Sequence, residues 1–223
     1  LADNSSFDIL LGRKKLHRDI IYNTVDHKKH IVKYFPTHKD NDIKQYQSNE
    51  FAWPSILPMP TEPVVMTAQA VTVNGTIVSL SQIIPVEIYN QTRYSVVAET
   101  CTDNNFSFFT EKVVKPILAK RMFVVAAGQY YLRNLQRLGF KTFSGIINEQ
   151  YDNIADLKER TLAVCEQIDL VSSLDQNLLQ SVLKDILEYN YQHMMNFNWQ
   201  ASTIKNLSLS LHLINNSTGD IHV

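Results

Sequence analysis

Three short apolar runs, FDILLG (7–12), RYSVVAE (93–99) and MFVVAAG (122–128), show no alternation of apolar with polar residues. A strand that is apolar on both sides must be covered on both faces, and this is the condition of a strand inside a parallel sheet. Parallel neighbours cannot be joined by tight turns, so helices have to carry the chain back. Such helices are present in the pattern. LHRDIIYNTVDHKK places Leu16, Ile20, Ile21 and Val25 at helical intervals, and Val113, Val114, Ile117 and Leu118 form a stripe behind Thr110. Thr110 is suited to be the N-cap of that second helix, because its hydroxyl can accept from a free amide of the first turn. QYYLRNLQRLG is a further amphipathic helix, ended by Gly139 in the C′ position.

The remaining segments fill in the order of elements. FKTFSGII (140–147) reads as a fourth, short strand, PVEIYNQT (85–92) as a short helix, and residues 64–80 as a hairpin about Asn74-Gly75. Residues 36–63 hold five prolines and read as a long irregular connection containing Trp53. From 152 to 197 two amphipathic helices follow each other. The expectation is an α/β fold with a doubly wound parallel, Rossmann-like sheet in residues 1–150, and a helical C-terminal region, 151–223, packed on it.

Length and composition restrict the functions open to this fold. The 223 residues suit one domain, or one with a small appendage. A formal net charge of −1 gives no global basic field for nucleic acid or anionic membranes, so any anion site must be local. No run of eighteen apolar residues occurs, and LADNSSFD lacks the basic and apolar parts of a signal peptide. A soluble, cytoplasmic chain is expected, in host cytoplasm if the source is viral. Its start at Leu1 suggests processing or a missing N-terminal half. Cys101 and Cys165 are expected to be free thiols.

Ligands of open α/β sheets bind beyond the carboxyl ends of the strands, and the charged residues of this chain gather there. Arg13, Lys14, Lys15, His17 and Arg18 follow the first strand, Glu99 ends the second, Glu111 and Lys112 open the helix after it, and Gly128-Gln129 close the third. A helix N-terminus with neighbouring Lys or Arg can hold a phosphate, and a nearby carboxylate can accept from ribose hydroxyls. Each feature alone has a plainer reading. Glu111 suits the dipole of any helix start, and GRKKLHR suits any solvated turn. No Walker, dinucleotide-binding, nucleophile-elbow or H-E-x-x-H motif is present, and the scattered histidines, His27 and His30 included, complete no zinc site.

The segment YSVVAETCTDNNFSFFTEKVVKPILAKRMFVVAAG (94–128) resembles the donor-binding part of GT-B glycosyltransferases of the α-1,3-fucosyltransferase kind. It is also similar to glycosyltransferase-like proteins common in phage genomes, which share a TEK..KPI helix and a later LGF.TF segment, here LGFKTF (138–143). The likeness spans roughly residues 7–168. It implies a Rossmann-like half that binds a nucleotide-sugar and transfers the sugar without a metal or other cofactor. Arg13 or Arg18, with Lys112, would hold the diphosphate, Glu111 the ribose, and Glu99 would lie near the sugar or ribose. Thr100 stands after Glu99 where the fucosyltransferases usually have Asn, which leaves donor base and sugar open. The acceptor would be a glycan or a modified base in DNA, and the acceptor half and its catalytic base would come from a partner chain or the missing N-terminal half. The alternative is a catalytically inactive, glycosyltransferase-like module that binds a partner within an assembly.

Overall fold

The structure is a computed structural model that describes residues 6–34, 44–46, 64–66, 70–73 and 76–198. Strand β1 (Phe7–Leu11) has β2 (Ile31–Tyr34) on one side and β7 (Tyr94–Ala98) on the other, with β8 (Phe123–Ala126) beyond β7. All these neighbours run parallel, with Ile9 opposite both Val32 and Val96, and Val96 opposite Val124. The chain leaves β1 towards β2 through α1 (Leu16–Thr24), and leaves β7 in the opposite direction, towards β8, through α3 (Glu111–Leu118). The strand order therefore reverses between β1 and β7, and the carboxyl ends of the strands at such a reversal are where such sheets bind their ligands.

The apolar runs form this sheet because both of its faces are covered. Phe7, Ile9, Leu11, Tyr94, Phe123 and Val124 are at most 2 % exposed, and each large side chain so buried contributes about 1.5–3 kcal/mol. Helix α5 (Leu157–Ser173) packs on α1 and β8, and α6 (Gln176–Asn196) packs on α3, so Val164, Ile168, Leu179 and Leu183 belong to the same core. Helix α4 (Tyr131–Arg137) ends as expected at Gly139, whose φ of +93° is open to glycine at little cost. There the amide of Phe140 donates to the Leu135 carbonyl and that of Gly139 to Gln136, the two bonds of a Schellman motif.

A second, antiparallel sheet lies in the chain between β2 and β7. Its strands are β3 (Lys44–Tyr46), β4 (Val64–Met66), β5 (Ala70–Val73) and β6 (Thr76–Ser79). Strands β5 and β6 pair with Val73 opposite Thr76, as a hairpin requires, and the short helix α2 (Val86–Gln91) follows them. Asn74-Gly75, Trp53, the tail after 198 and all of the irregular connection except Lys44–Tyr46 lie outside the described residues.

One expected strand is corrected. Residues 140–147 form loop and turn, because side chains satisfy their backbone before any strand can. Asn190 of α6 binds both the amide and the carbonyl of Lys141 at 2.8 Å, and Glu149 accepts from the Phe143 amide at 2.6 Å. The fourth strand of the parallel sheet is instead Ile31–Tyr34, only four residues long and interrupted by the exposed Lys33.

The amino edge of the sheet is closed by a buried ion pair. Arg121 Nη2 donates to Asp8 Oδ1 at 2.9 Å and to Thr92 Oγ1 at 2.8 Å, while its Nε reaches Ser95 Oγ at 3.1 Å. Burial raises the Asp8 carboxyl to about 6, although the Arg121 charge pulls the other way.

Candidate functional site at the carboxyl edge

The site begins in the turn after β1. Arg13, Lys14 and Lys15 are exposed, and Lys15, at the N-cap position of α1, makes no side-chain capping bond. Helix α1 thus differs from α3, α5 and α6, whose N-caps Thr110, Asp156 and Asp175 each accept from a first-turn amide. Helix α4 is capped from a distance by Asp152, whose carboxylate accepts from the amides of Leu132 and Arg133.

Just inside the turn, Arg18 and His17 point into the protein and fasten α1 to the end of β7. Arg18 Nη1 donates to the Arg13 carbonyl at 2.9 Å, and its Nη2 to the carbonyls of Ala98 and Glu99 at 3.2 and 3.4 Å. His17 Nε2 lies 3.0 Å from the Glu99 carbonyl, which can only accept, so that nitrogen carries the proton. Burial, helped by the Arg18 charge, lowers His17 to about 4 and keeps the ring neutral.

The Glu99 side chain is fully buried and is used internally. Its Oε1 accepts from the Tyr131 hydroxyl at 2.8 Å and the Thr110 amide at 3.1 Å, and its Oε2 from the Thr110 hydroxyl at 2.7 Å and the Thr100 amide at 3.3 Å. Thr110 passes this order onward, because the hydroxyl that donates to Glu99 also accepts from the Lys112 amide at 3.3 Å. The head of α3 is in this way tied to the end of β7.

On that head Lys112 Nζ meets Glu111 Oε1 at 2.8 Å, with the two side chains 27 % and 34 % exposed. Burial pushes the Glu111 carboxyl up, but the hydrogen bond and charge of Lys112, with the charge of Lys115, outweigh it and leave it below 4.5. Lys115 falls to about 8, mainly through burial and against the pull of Glu111. Arg18 is coupled to the same group, since the charges of Glu99, Tyr34 and Glu111 oppose the lowering that burial imposes on it.

The five residues singled out in the sequence are thereby linked. Arg13 is joined to Arg18, Arg18 to the Glu99 backbone, and the Glu99 carboxylate through Thr110 to Lys112 and Glu111. They take different parts. Arg13, Lys112 and Glu111 are accessible, whereas Arg18 and Glu99 are buried and hold the others in place.

Thr110, expected only as the N-cap, completes the Glu99 shell together with Tyr131, which was not singled out, and Lys115, also not singled out, sits one turn behind Glu111. The i, i+4 spacing of Glu111 and Lys115 was the signal open to a reader of the sequence. Phe106 and Phe108, each 54 % exposed, stand on the loop between β7 and α3. Beyond β8 the edge is closed by the same loop. A Cβ on Gly128 would come within 2.1 Å of the Asp103 carbonyl oxygen, so only glycine fits. Arg160 locks this closure, its Nε on the Ala127 carbonyl at 2.9 Å and its Nη2 on Asn104 Oδ1 at 3.1 Å.

No protein-family model, curated protein or solved structure matches this chain. Its chemistry therefore rests on the residues themselves. Among the described residues no group of three or more His, Cys, Asp or Glu is arranged to hold a metal ion, and no helix is long and apolar enough to cross a membrane. Cys101 and Cys165 are free, and burial lifts the Cys165 thiol to about 12.

Proposed function

We propose that the carboxyl edge of the sheet binds the diphosphate of a nucleotide-sugar, and that the chain is the donor-binding part of a glycosyltransferase. The observation that carries this reading is the uncapped start of α1, preceded by exposed Arg13, Lys14 and Lys15 at the switch point of the sheet. Free first-turn amides and adjacent cations are what a phosphate needs. Lys112, whose amide and ammonium both meet the Thr110 hydroxyl of the Glu99–Thr110 relay, supplies a further charge-assisted donor to the diphosphate. As the sugar leaves, charge develops on the diphosphate, and these fixed donors stabilise it without reorganising. Glu111 accepts from the ribose hydroxyls, and the exposed rings of Phe106 and Phe108 offer a face to the base. Glu99 acts as a positioning residue.

The acceptor is a glycan or a modified base, presented by a partner chain or by a further part of the protein. A non-catalytic reading is favoured by one observation: the Glu99 carboxylate is saturated by four donors and Glu111 is already paired with Lys112. Under that reading the surface binds a partner and no nucleotide.

Thermal shift against UDP, GDP, ADP and CDP separates the two. Stabilisation by one diphosphate, lost in Lys112→Ala, is the expected result. No shift with any of the four would leave the interaction module as the better reading.

A further inference from the structure

Two phenylalanines stand in solvent on a segment that is otherwise pinned. Phe106 and Phe108 are each 54 % exposed, and among the described residues neither ring packs against another ring. Their neighbours hold the segment to α4: Ser107 Oγ accepts from Asn134 Nδ2 at 2.8 Å, and the Phe109 ring lies 4.7 Å from that of Tyr131. Ser107 and Phe109 therefore share the inner side, which leaves Phe106 and Phe108 together on the outer one. Arg133 and Arg137 are exposed on α4 beside this segment. The Arg133 guanidinium lies 3.6 Å over the Tyr130 ring, and Arg137 Nη1 donates to Asn134 Oδ1, on the side chain that also holds Ser107. Tyr130 itself has a left-handed φ of +65°, which residues with a side chain seldom adopt. Neither residues 104–109 nor α4 carries a carboxylate.

Aromatic rings and arginines without carboxylates are the composition of the buried centre of protein interfaces. The same chain carries a surface that suits such a patch. On α5 the exposed residues Glu159, Leu162, Glu166, Asp169 and Leu170 recur at helical spacing and fall on one face. Leu162 and Leu170 are each 38 % exposed, while Val164, Ile168 and Val171 on the inner face fix the helix to the core. Among the described residues the three carboxylates form no ion pair, and apart from Lys158 in its first turn α5 exposes no cation.

We propose that the chain associates with itself head to tail, the patch of Phe106, Phe108, Arg133 and Arg137 on one copy receiving the acidic face of α5 of a second copy. Leu162 and Leu170 cover the two rings, and Glu159, Glu166 and Asp169 meet the arginines, so each surface supplies the charge that the other lacks. The two surfaces differ, and the contact is therefore heterologous. A copy that lends α5 to one neighbour keeps its own patch for another, and assembly continues into a ring or an open chain. One helix face makes a small contact, so the association is weak and sensitive to salt. It requires no nucleotide and goes beyond the nucleotide reading. The two share the phenylalanines, but Arg133, Arg137 and α5 have no part in the diphosphate site.

The test is sedimentation velocity at rising chain concentration, in low and in high salt. The parent should grow beyond a dimer as concentration rises, and less so in high salt. A patch variant, Phe106→Ser with Arg133→Glu, and a helix variant, Leu170→Ser with Glu166→Lys, should each associate with themselves about tenfold more weakly or less. All four positions are exposed, so both variants should keep the parent melting temperature. Mixed in equal amounts, the two variants should form a dimer of one copy of each and nothing larger, because one intact contact remains between them. A parent that stays monomeric, a variant that associates as the parent does, or a mixture that forms no dimer would overturn the proposal. Thermal shift of the helix variant by a nucleoside diphosphate reports separately on the nucleotide reading.

Discussion

Asp8 and Glu99 are both buried carboxylates on one parallel sheet, Asp8 near the amino end of β1 and Glu99 just past the carboxyl end of β7. Asp8 is met by a guanidinium inside the protein, whereas the Glu99 carboxylate is met by two amides and two hydroxyls. The amino edge therefore spends a cation on its acid. The carboxyl edge meets its acid directly with dipoles, with the Arg18 charge close by on the neighbouring backbone carbonyls, and Lys14 and Lys15 remain exposed to solvent. Charge balanced internally holds the sheet together, while charge left outside is what a ligand can use.

The sharpest way to break this comparison is Arg121→Ala. It leaves Asp8 buried without its cation, and a loss of about 3–5 kcal/mol is expected in urea unfolding. A loss under about 1 kcal/mol would mean that Asp8 needs no cation, and the contrast between the edges would go.

The pH dependence comes next. His17 titrates near 4 in the folded chain and at 6.5 when unfolded, so the unfolded chain binds the extra proton in between. Its contribution is complete above pH 6.5 and is lost as pH falls to 4, by up to about 3 kcal/mol. Asp8, raised from 3.8 to about 6, has the opposite sign: the folded chain binds the extra proton, and stability from this group is lost as pH rises through 6. The two slopes oppose each other in the parent protein. Unfolding measured from pH 7 to 4 should show His17→Asn losing less stability in acid than the parent and Asp8→Asn losing more.

Thr110→Val removes both the N-cap of α3 and the hydroxyl that links it to Glu99. A cost of about 1–2 kcal/mol is expected, together with weaker diphosphate binding even though Lys112 is unchanged. Normal affinity in this variant would show that the relay does not position Lys112.

The smallest effect on stability belongs to Lys112→Ala. Its partly exposed pair with Glu111 should be worth less than about 1 kcal/mol in unfolding, while calorimetry should show diphosphate affinity falling about tenfold or more. A variant that loses stability and keeps its affinity would reverse the roles assigned to the two edges.

Much of the fold was legible because burial leaves its mark on composition. The runs at 7–11, 94–98 and 123–126 are strands, Thr110 caps α3, and Gly139 ends α4. The failures fall where local pattern is short or is overruled from afar. Ile31–Tyr34 has four residues, too few to show a period, and residues 140–147 have strand-like composition but lose their backbone partners to Asn190 and Glu149. The site behaved in the same way. The five charged residues could be read off because they flank strand ends, but which of them are buried could not.

By itself the sequence determined that three apolar runs must lie inside a covered parallel sheet, and that charged residues follow their carboxyl ends. Periodicity and apolar composition report directly on which surfaces need burying. Only the tertiary structure decided that Glu99 and Arg18 are internal fasteners, that Gly128 seals the β8 side, and that Phe106 and Phe108 stand outward beside α4. Those outcomes depend on partners 25 to 81 residues away, such as Asp103 for Gly128 and Glu99 for Arg18, and no local pattern encodes such a distance.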